Sequence, residues 1–169
     1  MSSANGALAG ALWECRRHAR HLAMALHALE RMAPLNAHQL EHLTDDEMRS
    51  VDQFIFRYTC LQDSLGQKTF KYLLEATGEP LPPVATFIDR LHVLERLGVL
   101  SASEWENTRV IRNRLAHEYP DAEKRRQILH AAMETAPLLE TILVHIEQLA
   151  RDKLGITNPT PQHHWLNRT

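Results

Sequence analysis

The chain has only two cysteines among its 169 residues, Cys15 and Cys60. They lie far apart and form no Cys-x-x-Cys pair. The expectation is a reducing compartment with both thiols buried as small hydrophobes. No apolar run approaches the roughly 20 residues needed to span a bilayer. The opening stretch MSSANGALAGALWECRRH lacks a charged region ahead of its short apolar run, so it does not read as a signal peptide. A cytoplasmic protein without membrane association is expected. Excess positive charge is also missing. The net charge is -2 with histidines neutral, so nucleic acid would have to be met by a local patch rather than a global field. Strand-like alternation of useful length, internal repeats and low-complexity runs are absent. His38 and His42 have helical i, i+4 spacing but no third ligand nearby, whereas structural zinc normally takes four. They read as part of a polar connector, and neither a metal nor a cofactor is expected.

Apolar residues make up 44% of the chain, enough for one continuous core. In the first segment Leu8, Leu12, Cys15, Ala19, Leu22, Leu26 and Leu29 form a strict seven-residue apolar repeat on one helical face. Pro34 closes it. Thr44, followed by Asp45, Asp46 and Glu47, reads as the cap and acidic first turn of a second helix. Val51, Ile55, Tyr58, Leu61, Leu65 and Tyr72 run along that helix, and Gly78 and Pro80 stop it. Gly66 inside it costs about 1 kcal/mol against alanine, which suggests a close helix approach or a bend. A third helix is expected to start around Pro83, burying Phe87, Leu91, Leu94 and Leu97, and to end at Gly98. Ser101 and Glu104 read as a capping box for a fourth helix running to about Tyr119, just before Pro120. Asp121 caps a fifth, bearing Ile128, Ala132, Leu139, Ile142, Ile146 and Leu149, in which Pro137 should introduce a kink. The whole reads as an all-α antiparallel bundle of about five helices over residues 1–155, with a tail over 156–169.

The fourth helix ends in IRNRLAHEYP, residues 111–120. At about 100° per residue, Trp105, Thr108, Ile111, Leu115, Ala116 and Tyr119 share an arc, and Arg112 falls inside it. A guanidinium is rarely buried without a partner, so Arg112 should meet aromatics, a carboxylate or a polar interface. Asp63 and Glu75 are the candidate carboxylates. Arg109, Asn113 and His117 share a neighbouring face. Arg112 and His117 sit five apart, roughly 140° around the helix. They converge only if the last turn unwinds or a second copy of the helix supplies the mate, as a two-fold dimer would. The chemistry suited to this set is RNA cleavage. A histidine can exchange protons with a ribose 2′-OH and the leaving oxygen, and an arginine fork stabilises charge developing on the phosphate. The 2′-OH is an internal nucleophile. Alternatively, the basic residues complement the helix dipole and His117 caps the helix end. Basic stretches at Arg16–Arg20 and Lys124–Arg126 read either as solvated faces or as phosphate-tracking patches.

Arg112, Asn113, His117 and Tyr119 reproduce an Arg-Asn-x-x-x-His-x-Tyr pattern on the penultimate helix. Here the chain resembles the HEPN superfamily, and within it the HepT-like toxins. The likeness covers roughly residues 8 to 150, and its specific part is the eight residues of the motif. It implies a homodimeric, metal-independent ribonuclease with a composite cleft at the dimer interface. Arg112 and His117 would carry catalysis and Asn113 would support their geometry. Arg109, Arg114, Lys124 and Arg125 would guide the RNA. The resemblance also implies an MNT-type nucleotidyltransferase antitoxin as partner, able to attach AMP to Tyr119. A non-catalytic HEPN module binding a nucleotidyltransferase or a nucleotide is the competing expectation.

Overall fold

A computed structural model describes residues 3–32, 34–79 and 81–157. The protein is an all-helical bundle, with no strand among the described residues. Its helices are α1 (Ser3–Arg31), α2 (Ala37–Glu41), α3 (Asp45–Ser64), α4 (Phe70–Ala76), α5 (Phe87–Arg96), α6 (Ala102–Leu115) and α7 (Ala122–Leu154). A π-helical turn, Leu65–Thr69, joins α3 to α4 without a break, so the expected second helix is one rod with a wide turn inside it. None of the described helices is long and apolar enough to cross a membrane.

α1 buries Leu8, Ala11, Leu12, Cys15, Ala19, Leu22, Ala25 and Leu29. Leu26, which the seven-residue repeat placed on the seam, is only partly buried. A straight helix with 3.6 residues per turn drifts about 20° per heptad from such a repeat, so the contact stripe moves onto Ala11 and Ala25. This face packs on α3, α4 and α7. Arg16, off the stripe, ties α1 to α7 through Glu140 and Glu147, so it tracks neither solvent nor phosphate. Arg17 lies over Trp13, 5.9 Å from the ring centre.

Local chemistry explains the helix starts. Thr44 is the expected cap of α3 and forms a reciprocal pair with Glu47, Asn36 and Gln39 form another at α2, and Asp121 caps α7. The third helix starts at Phe87, four residues later than expected. Thr86 and Asp89 satisfy each other's backbone N–H groups there, while Pro82 accepts a turn bond from Ala85. The expected Ser101–Glu104 box does not form. Ser101 Oγ meets Ser103 Oγ, and Glu95 reaches over from α5 to accept the Ala102 N–H at 2.9 Å. A neighbouring helix thereby caps α6. Helix α7 continues through Pro137. Its end is closed by Gly155 at φ 65°, and Ile156, the first residue of the expected tail, is buried in the core. His163, His164 and Trp165 lie outside the described residues.

Candidate functional site

α6 turns Trp105, Thr108 and Ile111 inward. Arg112 lies at the margin of that face and is half-buried. It donates from Nε and Nη2 to both oxygens of Asp63 on α3, at 2.8 and 2.6 Å. Of the alternatives open to Arg112, the carboxylate is the one found, and it is Asp63; Glu75 instead pairs with Lys71. The paired carboxylate raises the affinity of the Arg112 guanidinium for its proton. Its Nη1 is left to reach Asn113 Oδ1 at 3.4 Å. A bidentate fork fixes the plane of the guanidinium as well as its position.

The π turn follows Asp63 directly. A Cβ on Gly66 would stand 2.9 Å from Cζ2 of Trp105, which is fully buried and packs edge-on against Phe70 at 4.6 Å. Glycine is thus required by close approach of α6, as its position inside a helix suggested. Thr69 Oγ1 donates to the Ser64 carbonyl at 2.9 Å and meets Cys15 Sγ at 3.3 Å. Burial pushes the Cys15 thiol up to about 12, so it packs as an apolar group. Single π turns inside helices recur at functional sites. This one borders a cavity of about 500 Å³ lined by Gln62, Asp63, Gly66, Gln67, Phe87, Arg90, Trp105, Arg109, Arg112 and Asn113.

His117 lies elsewhere. α6 ends at Leu115, not at Tyr119. The chain turns at Ala116, with the His117 N–H on the Arg114 carbonyl at 3.2 Å. Pro120 disfavours helix in the residue before it, and Asp121 must start α7 in a new direction. Arg125 holds the freed linker by donating to the carbonyls of Tyr119 and Pro120, at 2.6 and 2.8 Å. His117 and Tyr119 therefore leave the helical face that was expected to carry them. They line a second cavity, of about 830 Å³, with Arg114 and Arg125 and with apolar walls that include Leu40, Val51, Ile55 and Leu129. The Tyr119 ring lies beneath Lys124 Nζ, 4.2 Å from its centre.

One chain thus groups Arg109, Arg112 and Asn113 at one cavity and Arg114, His117, Tyr119 and Arg125 at another. The last turn does unwind, yet unwinding does not bring Arg112 and His117 into one pocket. Asn113 sides with Arg112 rather than with His117. Two of the cations expected to guide RNA hold local carboxylate partners. Arg109 is paired with Glu106 at 2.8 Å, and Arg125 faces Glu41 at 3.9 Å. His38 and His42 stack, their centres 4.3 Å apart. No three potential metal-ligating side chains cluster among the described residues. Sequence reading missed Arg90, Gln67 and Gln62, whose only mark was their place on helices that converge in space. Comparison with family models, with curated proteins and with solved structures finds no match to this chain.

Proposed function

We propose that the protein is a metal-independent endoribonuclease of the HEPN toxin type, active as a homodimer. The observation that supports this reading best is the Asp63 fork. It holds Arg112 oriented at the lip of a cavity, with Nη1 and the Asn113 amide side by side. His117 is exposed on a linker outside any helix, where its imidazole can reach across to a second copy. The two-fold mate is required by this reading, because a single chain places Arg112 and His117 in separate cavities.

In the composite cleft His117 takes the proton of a ribose 2′-OH. The 2′-oxygen attacks the adjacent phosphorus, the bond to the 5′-oxygen breaks, and that oxygen takes a proton from the imidazolium of a His117 in the cleft. The products are a 2′,3′-cyclic phosphate and a 5′-hydroxyl. Arg112 stabilises charge on the non-bridging oxygens as it builds, and Asn113 steadies the fork. A nucleotidyltransferase antitoxin that added AMP to Tyr119 would place a phosphate beside Lys124 and obstruct the linker.

The test is purified protein with single-stranded RNA in the presence of a chelator. The expected result is cleavage to cyclic phosphate ends, reduced at least about a hundredfold by His117→Ala or Arg112→Ala, with the dimer intact by sedimentation. Cleavage persisting in His117→Ala removes the assigned role. The separation of Arg112 from His117 in one chain favours a second reading, a non-catalytic module that binds a nucleotidyltransferase or a nucleotide through Arg112. Tight complex formation without any RNA cleavage would decide for it.

A further inference from the structure

We infer that the cavity between α3, α5 and α6 is a base-selecting subsite, which takes one unpaired nucleobase of the RNA beside the phosphate engaged by Arg112. This rests on the ribonuclease reading for its substrate. It goes beyond that reading in assigning residues outside the eight-residue motif.

The lining has the three kinds of group that a single nucleotide needs. Phe87, partly exposed, offers a ring face for stacking, and stacking is available to every base. Gln67, exposed, offers an amide edge with both donors and an acceptor, and Asn113 adds its amide N–H donors beside Arg112, which is the chemistry that reads a base edge; Gln62 also lines the cavity but is largely buried. Arg90, Arg109 and Arg112 bring three guanidinium groups to the lining, of which Arg112 is paired with Asp63 and Arg109 with Glu106. Arg90 lies over the Phe87 ring, 5.7 Å from its centre, and no carboxylate pairs with it among the described contacts. It is the cation most available to a phosphate.

Gly66 lets the Trp105 indole close against the π turn. Trp105 Nε1, fully buried, has no hydrogen-bond partner among the described residues. The volume, about 500 Å³, lies within the ~300–1,000 Å³ typical of small-molecule sites. The larger cavity at His117 is less suited to a nucleotide, because Glu41, Asp52 and Glu118 line it among its apolar walls.

The experiment has two arms. In the first, wild type, Phe87→Ala, Arg90→Ala and Gln67→Ala are compared on single-stranded oligonucleotides that differ at the positions flanking the cut. Circular dichroism monitors folding. Wild type should prefer one base at one flanking position. Phe87→Ala and Gln67→Ala should flatten that preference, and Arg90→Ala should slow cleavage of all sequences about tenfold. In the second arm the four nucleoside 3′-monophosphates are titrated calorimetrically. One should bind, and Phe87→Ala should weaken it by roughly tenfold or more. Unchanged preference in the variants, together with no monophosphate binding to wild type, overturns the subsite. If wild type binds a monophosphate but cleaves nothing, the ribonuclease reading fails and the cavity stands as a nucleotide site. If it cleaves without binding any monophosphate and the variants match wild type, only the subsite falls.

Discussion

His18 on α1 accepts a hydrogen bond at Nδ1 from Arg57 Nη1, at 3.1 Å. An arginine only donates, so the imidazole is neutral, with its proton on Nε2. Burial first, and then the charge of Arg57, hold the affinity of His18 for a proton below its ordinary value. The unfolded chain therefore binds that proton more readily than the folded one. The contribution of His18 to stability is present above the unfolded value near pH 6.5 and is lost as pH falls from there through the lower folded value. Chemical denaturation between pH 7.5 and 4.5 should show wild type losing stability across that window and His18→Gln losing less. An identical slope in both would remove the role of His18. Glu14, held low chiefly by the Ser64 hydroxyl, acts in a more acidic window, below its ordinary range. Asp63→Asn keeps the shape of the fork and removes its charge. With side chains 27% and 30% exposed, the pair is worth about 1 kcal/mol. The substitution should lower the melting temperature slightly and cut RNA cleavage, while affinity for single-stranded RNA does not fall, because Arg112 regains its full net charge. Arg112 and its need for a partner were legible in the sequence. The choice of Asp63 on α3 over Glu75 on α4 was not, since it depends on which part of the α3–α4 rod faces α6.

The rod made by α3, the π turn and α4 shows the limit of reading single elements. Its apolar periodicity indicates one helix through residues 51–72, and the chain is helical there. The turn widens at Leu65–Thr69, where Trp105 arrives from α6 and Thr69 meets Cys15 of α1. Gly66→Ala gains about 1 kcal/mol of helix propensity but drives a Cβ against a fully buried ring. The expected outcome is a net loss of about 1–3 kcal/mol, read as a lower melting temperature. A stabilised variant would mean that the approach is slack. Pro137 is exposed in the middle of α7 and cannot donate to the carbonyl four residues back. Pro137→Ala should therefore stabilise the protein by about 1–3 kcal/mol. The end of α6 was misjudged by four residues. The proline rule limits only the residue before Pro120, whereas the direction in which α7 departs, secured by Arg125, decides where the helix stops.

For the molecule as a whole, α1 is the central strut, against which α3, the π turn, α4 and α7 all pack. The site residues sit at the periphery, around α6 and its linker. A dimer that joins Arg112 of one copy to His117 of the other must cover on the order of 1,000 Å² or more. Phe56 on α3 and Val110 on α6, 56% and 43% exposed, lie on the two helices that hold the Asp63–Arg112 pair. Phe56→Arg should shift sedimentation toward the monomer and abolish cleavage while leaving helix content unchanged. A variant that remains dimeric and active would place the interface on another face.

Class of fold, the long helical segments, most of their buried faces and the residues worth testing followed from sequence alone. Each of these depends on a period or a side-chain chemistry that recurs within a few residues. The cap of α6 by Glu95, the π turn, the pairing of Arg112 with Asp63 and the division of the motif between two cavities were decided only by tertiary structure. Each of these depends on which helices meet and at what height, and no local spacing records the relative placement of distant helices.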